Sequence, residues 1–348
     1  MARTKAAGIP WARRRKADVL RKLWCRCKNS ADRTVMRLNR QALILLLAFA
    51  LMAGHALPAL ASPATFITAL PISQDQLLVR FTSQPFFDFH DSSPLDRDLS
   101  LVQFPTTFFY GATSTLALAL EPEQQFALMG QDTARGRVTR SASGFGDTLF
   151  FARYTLVDID WPLNTIRVAP LAGAFLPTGY YDKSDHLGLL PEQMQSGSGS
   201  VDPYLGVTAA WDNPVHEISW DATWRANPPA SPGYRLGDEV RTDGQFQIRL
   251  WPYPLPTDHV PYFVWLDFET NLIWDARSRI NGVTDNSTGG FTWLFWGGIQ
   301  LQYIYWEAGA LVGVPLLQKL NGPDRLSNTV AFLVFFEYYL AMPSWISR

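Results

Sequence analysis

The stretch from residue 62 onward contains no cysteine, because both cysteines of the 348-residue chain, Cys25 and Cys27, lie near its amino terminus. If this stretch is exported, it has neither a disulfide framework nor a thiolate metal site. It also lacks a run of eighteen apolar residues, which argues against membrane-spanning helices. The chain has 24 glycines and 24 prolines, and this content discourages long helices of any kind.

Sequence signatures of catalysis are also missing, since no H-E-x-x-H, G-x-S-x-G or P-loop pattern occurs. The one tight group of serine, histidine and acid is His90-Asp91-Ser92-Ser93, and triad members need spatial rather than sequential adjacency. Two polar stretches, 182–186 and 285–288, lack the spacing of a known cation loop. The sequence therefore predicts no enzyme, no metal and no cofactor, with a membrane-embedded hydrolase as the weakest alternative.

The first 61 residues differ from the rest in charge, with thirteen of the 30 Lys and Arg but only two of the 31 acidic residues. Arg37 and Arg40 precede an apolar run over 42–53, and Ala59-Leu60-Ala61 closes it. This order is typical of a secretory signal peptide that is cleaved after Ala61. An uncleaved helical anchor is the alternative. We favour translation from Met36, which would give a signal of ordinary length. The predicted division is thus a leader over 1–61 and a mature domain over 62–348.

The predicted mature domain is acidic, with 17 basic residues against 29 acidic ones. This charge argues against nucleic acid as a partner. Its clearest pattern has a period of two residues. In 216–225 the apolar side chains fall on even positions, among them Ile218 and Trp220, while odd positions carry Glu217, Asp221 and Arg225. Such alternation predicts strands with one apolar and one polar face.

Three features favour a membrane barrel over a soluble sandwich. The strands are long, links between them alternate long and short, and aromatics crowd the strand ends. The predicted girdle aromatics are Trp211, Trp251, Tyr253, Trp274, Trp293 and Tyr338. Twelve strands are predicted, at 76–86, 99–110, 112–121, 145–157, 165–177, 200–212, 216–227, 243–255, 259–274, 290–303, 305–316 and 329–341. Ten or fourteen stay open, because no turn residue marks the join between Tyr303 and Trp306.

The predicted links differ in length on the two sides of the barrel. Residues 122–144 are predicted as a long outer loop, and residues 256–258 as a short periplasmic turn. A strand in lipid must pair its whole backbone, which only a closed ring of strands achieves. The fold prediction is therefore all-β, an antiparallel transmembrane β-barrel preceded by a signal peptide. Its polar side chains have only the lumen to occupy, and the predicted lumen-lining residues are Arg153, Glu217, Asp221, Arg225, Arg249, Asp267 and Glu269.

Three short motifs occur in order over about sixty residues. They are Gly144-Phe145-Gly146-Asp147, then Pro177-Thr178-Gly179, then Gly197-Ser198-Gly199-Ser200 with Asp202. Their order and spacing resemble the family labelled MetA-pathway of phenol degradation, whose members are outer-membrane barrel proteins described as transporters. The resemblance implies uptake of aromatic or hydrophobic compounds. Turn formation and capping by the two aspartates are the structural alternative for these motifs.

These observations predict a porin-like transporter or channel in the outer membrane of a Gram-negative cell. Its expected partners are membrane lipid and a small, aromatic or hydrophobic solute, whose identity the sequence does not give. The alternative is a structural or assembly barrel whose bore is blocked by side chains or by residues 62–75. A filled lumen would favour that alternative, and the oligomeric state stays open.

Overall fold

The structure is a computed structural model and describes residues 62–91, 95–230, 233–322 and 327–341. The leader with its predicted cleavage site at Ala61 lies outside the described residues. So do Ser92 and Ser93 of the serine–histidine group. Among the described residues, no helix is long and apolar enough to cross a membrane. One short 3₁₀ turn, Glu192–Met194, interrupts a loop.

The chain forms a closed antiparallel barrel of twelve strands, as the sequence predicts. Each strand pairs with its neighbours in the chain, and the last strand pairs with the first, so that Leu78 lies opposite Tyr339. The strands are β1 (Gln76–His90), β2 (Asp98–Gly111), β3 (Leu116–Glu121 and Glu123–Thr133), β4 (Gly136–Phe145 and Thr148–Tyr154), β5 (Asn164–Leu176), β6 (Asp202–Asp212), β7 (His216–Arg225), β8 (Glu239–Trp251), β9 (Phe263–Asp275), β10 (Gly290–Tyr303), β11 (Trp306–Leu320) and β12 (Val330–Ala341). A further short strand, Val157–Trp161, continues β4 and pairs with β5.

Period-two alternation places polar side chains inside the barrel over β7 to β9. In β9, Trp265, Asp267, Glu269 and Asn271 are buried, while the residues between them are less buried. The outer surface is rich in exposed apolar side chains, for example Val334 at 55% exposure. Because the backbone closes on itself and the outer face is apolar, the barrel belongs in the outer membrane.

Aromatic side chains mark both rims of this outer face. Trp251 and Tyr253 are exposed at the end with the short turns, and Trp274 and Trp293 are exposed near the long loops. In outer-membrane barrels the short turns face the periplasm, and aromatic girdles lie at the two lipid–water interfaces. The short-turn end of this barrel is therefore its periplasmic end.

The prediction of a loop over 122–144 is wrong. Most of this stretch is a hairpin, in which Glu123–Thr133 extends β3 and Gly136–Phe145 extends β4 beyond the barrel wall. The hairpin turns at Ala134 and Arg135 and pairs with the first half of β2. Ala127 and Met129 on one face are buried with Leu190 and Met194, while Phe126 and Leu128 on the other face are exposed. Because both faces are apolar over 126–129 and polar residues flank this run, no period of two marks the strand.

Two turns at the periplasmic end also bear on the predicted boundaries. The turn predicted at 256–258 is longer, since β8 ends at Trp251 and β9 begins at Phe263. The unmarked join is a two-residue turn between Tyr303 and Trp306, which supports the twelve-strand prediction.

Candidate functional site in the barrel lumen

Residues 62–75, which we call the inner segment, lie inside the barrel. Ser62, Ala64, Ala69, Leu70 and Ile72 are all buried. From β1 the segment passes Gly111, where a Cβ would lie only 2.1 Å from the carbonyl oxygen of Ser73. The missing side chain at Gly111 therefore gives the segment room to enter from the periplasmic end.

Arginine side chains on three strands donate hydrogen bonds to backbone carbonyls of the inner segment. Arg80 Nη1 on β1 donates to the carbonyl of Pro63 at 2.6 Å. Arg153 Nη2 on β4 donates to the carbonyl of Leu70 at 2.7 Å. Arg241 Nη2 on β8 donates to the carbonyl of Thr65 at 2.8 Å. Since these strands lie on different sides of the barrel, the segment crosses the bore.

Glu269 on β9 is the main acceptor for the amide groups of the inner segment. Its Oε1 accepts a hydrogen bond from the backbone nitrogen of Ala64 at 2.6 Å, and its Oε2 accepts one from that of Thr65 at 3.0 Å. The Thr65 hydroxyl also donates to Glu269. Because three donors of Ala64 and Thr65 converge on this one carboxyl group, Glu269 fixes the segment close to Ser62.

One side of the lumen, formed by β7 to β12, carries closely spaced acids and amides. We call Glu217, Asp267, Glu269, Glu307 and Glu337 the acidic wall. Each of these side chains is at most 1% exposed. Some polar atoms in their vicinity have no hydrogen-bond partner among the described residues, including Glu307 Oε2 and both polar atoms of Gln247. The acidic wall thus has unused hydrogen-bonding capacity.

The opposite side of the lumen is apolar. We call Leu78, Phe109, Phe151, Leu171 and Tyr204, on β1, β2, β4, β5 and β6, the apolar wall, and Ile72 of the inner segment packs in the same cluster. Phe151 meets Phe109 and Tyr204 edge to face, with ring centroids 5.8 and 6.3 Å apart. A cavity of about 330 Å³ lies between the segment and part of this wall, and Leu78, Phe109, Arg80 and Arg153 are among the residues that line it. Its size is in the range of small-molecule pockets.

A second apolar cluster lies nearer the long loops, on β10 to β12. Trp296, Leu311, Leu333 and Phe335 pack there around Ala64 of the inner segment. The segment therefore contacts apolar side chains at Ala64 and at Ile72, and charged side chains along most of its length.

The predicted lumen-lining residues do not share one environment. Glu217, Asp221, Asp267, Glu269 and Arg153 are at most 3% exposed and Arg249 is 9% exposed, while Arg225 is partly exposed at the rim. Asp267 accepts a hydrogen bond from Gln300 at 2.7 Å, and Glu217 accepts one from Ser219 at 2.9 Å. Asp221 lies opposite Asp243 on β8. Glu269 and Arg153 bind the inner segment directly.

Sequence reasoning missed Arg80, Glu307 and Glu337, which are also buried in the lumen. The strands of Glu307 and Glu337 are almost continuously apolar, so no polar face marks them. The strand of Arg80 does carry polar residues on alternate positions, such as Gln76 and Thr82, and this pattern could have located Arg80. A single charge inside an apolar strand, such as Glu337 between Phe336 and Tyr338, is itself a signal, because lipid would not accept it.

The three sequence motifs meet at Asp147, at the rim near the long loops. Its Oδ1 accepts a hydrogen bond from the backbone nitrogen of Gly179 at 3.1 Å, and its Oδ2 accepts one from that of Ser198 at 2.7 Å. Thr178 Oγ1 donates to the carbonyl of Gly146 at 2.8 Å. Residues about fifty positions apart in the chain are thereby joined through one carboxylate.

Asp202, at the start of β6, extends this rim cluster. It accepts a hydrogen bond from Arg225 Nε at 3.1 Å, and Arg225 lies 3.7 Å from Asp147. A Cβ at Gly197 would lie 2.7 Å from Asp147 Oδ1, so a larger residue does not fit there. The remaining motif residues surround this core: Pro177 follows the end of β5, Gly144 lies under the Tyr180 ring, and Gly199 has φ +76°.

The loop over 177–201 covers the outer edge of the protruding hairpin. Arg140 on β4 forms a bidentate ion pair with Asp185 of this loop, with both distances 2.8 Å. The hydrogen bond from Arg140 lowers the pKa of Asp185 below its ordinary value. Lys183 Nζ bonds the Ser143 carbonyl. The loop therefore shields a strand edge that would otherwise be free to pair with another chain.

The described residues offer no cluster of metal-ligating side chains. His216 stacks on Phe246 with ring centroids 6.0 Å apart, and His259 pairs with Asp258 in a periplasmic turn. That pairing lowers the pKa of Asp258. The side chain of His90 lies outside the described part of the chain. Asp285 binds the amide and hydroxyl of Ser287 within its own loop.

No protein-family model matches the chain, and no curated protein sequence matches it. The fold is similar to that of the COG4313 outer membrane channel from Pseudomonas putida F1, with a TM-score of 0.53 and 14% sequence identity. The match covers 80% of this chain and 100% of that chain. At this identity the likeness establishes the barrel fold alone.

Two autotransporter barrels match more distantly. The β domain of the Bordetella autotransporter BrkA matches with a TM-score of 0.39 at 10% identity over 76% of this chain and 98% of that one. The translocator domain of NalP from Neisseria meningitidis matches with a TM-score of 0.36 at 9% identity, over 88% and 97%. Both similarities are too low to inform function.

Proposed function

We propose that the protein is a channel through the outer membrane for small solutes and that the inner segment is its gate. The observation that supports this most strongly is the way the segment is held. It enters from the periplasmic end, contacts strands on all sides, and depends on side-chain contacts rather than on strand pairing with the wall. A segment held in this way can leave the bore without breaking the barrel.

The two walls support different parts of the proposed solute class. The cavity of about 330 Å³ has the size and, at Leu78 and Phe109, the apolar surface for a small aromatic or hydrophobic molecule, which is also the class that the sequence resemblance implies. Arg80 and Arg153 in its lining can donate hydrogen bonds to a polar group on such a molecule. The acidic wall favours cations over anions, because fixed negative charge raises the local concentration of positive ions. We therefore propose small solutes with an apolar face and a neutral or positive polar group. We propose no catalytic role.

A second candidate, a structural barrel with a permanently blocked bore, is favoured by the same segment. The segment crosses the lumen and occupies most of its polar contacts, and an immovable plug would look identical. The two candidates differ only in whether the segment leaves.

Deleting residues 62–72 tests the channel. In planar lipid bilayers we expect this variant to conduct steadily and to prefer cations in a salt gradient, whereas the wild type opens only briefly. A barrel whose conductance is unchanged by the deletion, although a gel-mobility assay shows it folded, would contradict the channel and favour the structural barrel.

A reversible lock provides the matched control, because the predicted mature chain has no cysteine of its own. Thr65 Oγ1 lies 2.9 Å from Asn271 Nδ2 on β9. Replacing both residues by cysteine is expected to hold the pore closed under oxidising conditions, and dithiothreitol is expected to restore openings. Openings that persist with the crosslink formed would show that the segment is not the gate.

A further inference from the structure

The first described residue, Ser62, is bonded through each of its polar atoms. Its backbone nitrogen lies 3.5 Å from Glu307 Oε1, and its carbonyl accepts a hydrogen bond from Gln300 Nε2 at 3.3 Å. Its hydroxyl lies 3.5 Å from Glu337 Oε1 and accepts a hydrogen bond from Arg80. Ser62 is only 4% exposed. The lumen therefore has a defined binding site for Ser62, formed by Arg80, Gln300, Glu307 and Glu337, which we call the seat.

The charges around this seat do not balance. Glu307 and Glu337 are both fully buried on neighbouring strands, and they lie opposite each other in the β11–β12 pairing. Arg80 pairs with Glu337 at 2.7 Å. Among the described residues Glu307 forms no ion pair, because Arg80, the basic group whose charge reaches it, pairs with Glu337, and Glu307 Oε2 accepts no hydrogen bond. A buried carboxylate without a paired cation is unfavourable, so one further positive charge beside Glu307 would stabilise the seat.

Signal-peptide cleavage would supply that charge at the right atom. When water adds across the Ala61–Ser62 bond, Ala61 leaves with a carboxylate and Ser62 keeps the nitrogen as an α-ammonium group. The nitrogen that becomes charged is the one that already faces Glu307. We infer that Glu307 and Glu337 form a binding site for a primary ammonium group and that the processed amino terminus at Ser62 is its resident ligand.

If this site exists, signal-peptide cleavage strengthens the binding of the inner segment in the lumen. Before cleavage the Ser62 nitrogen is a neutral amide with one N–H donor. After cleavage it is a cation with three donors, and two carboxylates then face two positive groups, Arg80 and the α-ammonium. The inference rests on the proposed gate only in that both need the inner segment to lie in the lumen.

Amine labelling of the exported, detergent-solubilised protein tests the site. Intact mass first establishes that the chain begins at Ser62. The predicted mature chain has only two lysines, Lys183 and Lys319, so mass spectrometry can follow three amines separately. We expect a small amine-reactive ester to modify the exposed Lys319 readily and the Ser62 α-amine only after denaturation.

The Glu307→Gln variant separates ion pairing from simple burial. Glutamine mimics a protonated glutamate, so it changes little if Glu307 is neutral. If Glu307 pairs with the α-ammonium, we expect labelling of Ser62 in the folded variant to rise by about tenfold or more, with longer openings in bilayers. Glu121→Gln on β3 alters a carboxylate that accepts a hydrogen bond from Thr107 and lies outside the acidic wall, so it is the matched control and is expected to leave both readouts unchanged.

Three results would overturn the inference: a mature chain that does not begin at Ser62, free labelling of Ser62 in the folded wild type, or equal labelling in wild type and Glu307→Gln. If the deletion of 62–72 still opens the pore in any of these cases, the channel stands and only the ammonium site is wrong. If Ser62 is protected through Glu307 but the deletion does not conduct, the ammonium site stands and the channel is wrong.

Discussion

The two walls of the lumen hold the same segment by different physical means. The acidic wall binds it through directed hydrogen bonds, such as that from the Ala64 nitrogen to Glu269. The apolar wall binds it by burying side chains such as Ile72, without direction. Directed bonds set the register of the segment, while apolar burial supplies attraction that tolerates sliding. The gate that we propose needs one closed position and the ability to move, and the combination of directed hydrogen bonds with apolar burial provides both.

The difference also shows what the interior of a membrane barrel requires. On β4, Phe151 points inward and Phe150 outward, so both faces are apolar. An apolar interior is compatible with a barrel when something covers it, and here the inner segment does so. The acidic wall faces backbone amides of the inner segment, and the apolar wall faces its apolar side chains.

The largest predicted effect concerns the rim, where β6 of the apolar side meets β7 of the acidic side. Asp147→Ala leaves the backbone amides of the half-buried Gly179 and the buried Ser198 without their acceptor, which costs up to about 1–3 kcal/mol for each group. We expect loop 177–201 to detach and trypsin to cut after Lys183 in the folded barrel. Asp182→Ala, on the exposed part of the same loop, is the control. If loop 177–201 of Asp147→Ala resists trypsin as well as the wild-type loop does, the hydrogen bonds of Asp147 do not hold this loop to the rim.

The next effect tests the acidic wall. Glu269→Ala removes the acceptor of three hydrogen bonds from Ala64 and Thr65 and is expected to weaken seating of the segment by about 2–4 kcal/mol. Bilayer recordings should show long openings. Glu269→Gln keeps one carbonyl oxygen and should fall between the alanine variant and the wild type. If all three proteins open alike, directed bonds do not position the gate.

The smallest effect concerns the apolar wall. Ile72→Ala removes buried methyl groups next to Leu78 and Phe109, and we expect a loss of about 2 kcal/mol in seating. Brief openings should become more frequent without the long ones expected of Glu269→Ala. Val283→Ala removes methyl groups at an exposed position outside the barrel wall, and it is the control that should leave the openings unchanged. Longer openings from Ile72→Ala than from Glu269→Ala would reverse the roles assigned to the walls.

The sequence predicted the barrel best where lipid and water lie on opposite faces of a strand. In β7 and β9 the alternation around Asp221 and Asp267 is clean, and the strands were correctly located. It failed over 122–144, because residues 126–129 are apolar on both faces and are flanked by polar residues, so no period of two marks the strand. The filled bore was foreseen as the alternative with residues 62–75 inside. The convergence of the motifs on Asp147 could not be foreseen, because it depends on how β4, β5 and β6 are stacked side by side.

The pair formed by Arg80 and Glu337 lies on β1 and β12, the two strands whose meeting closes the ring. Ser62 touches both members of that pair. A chain still open along this seam lacks part of the site that holds Ser62, so the inner segment can take this position only in a finished barrel. If the segment gates the pore as proposed, closure of the barrel in the membrane must precede closure of the pore, and an incompletely assembled molecule would leak until its first and last strands met.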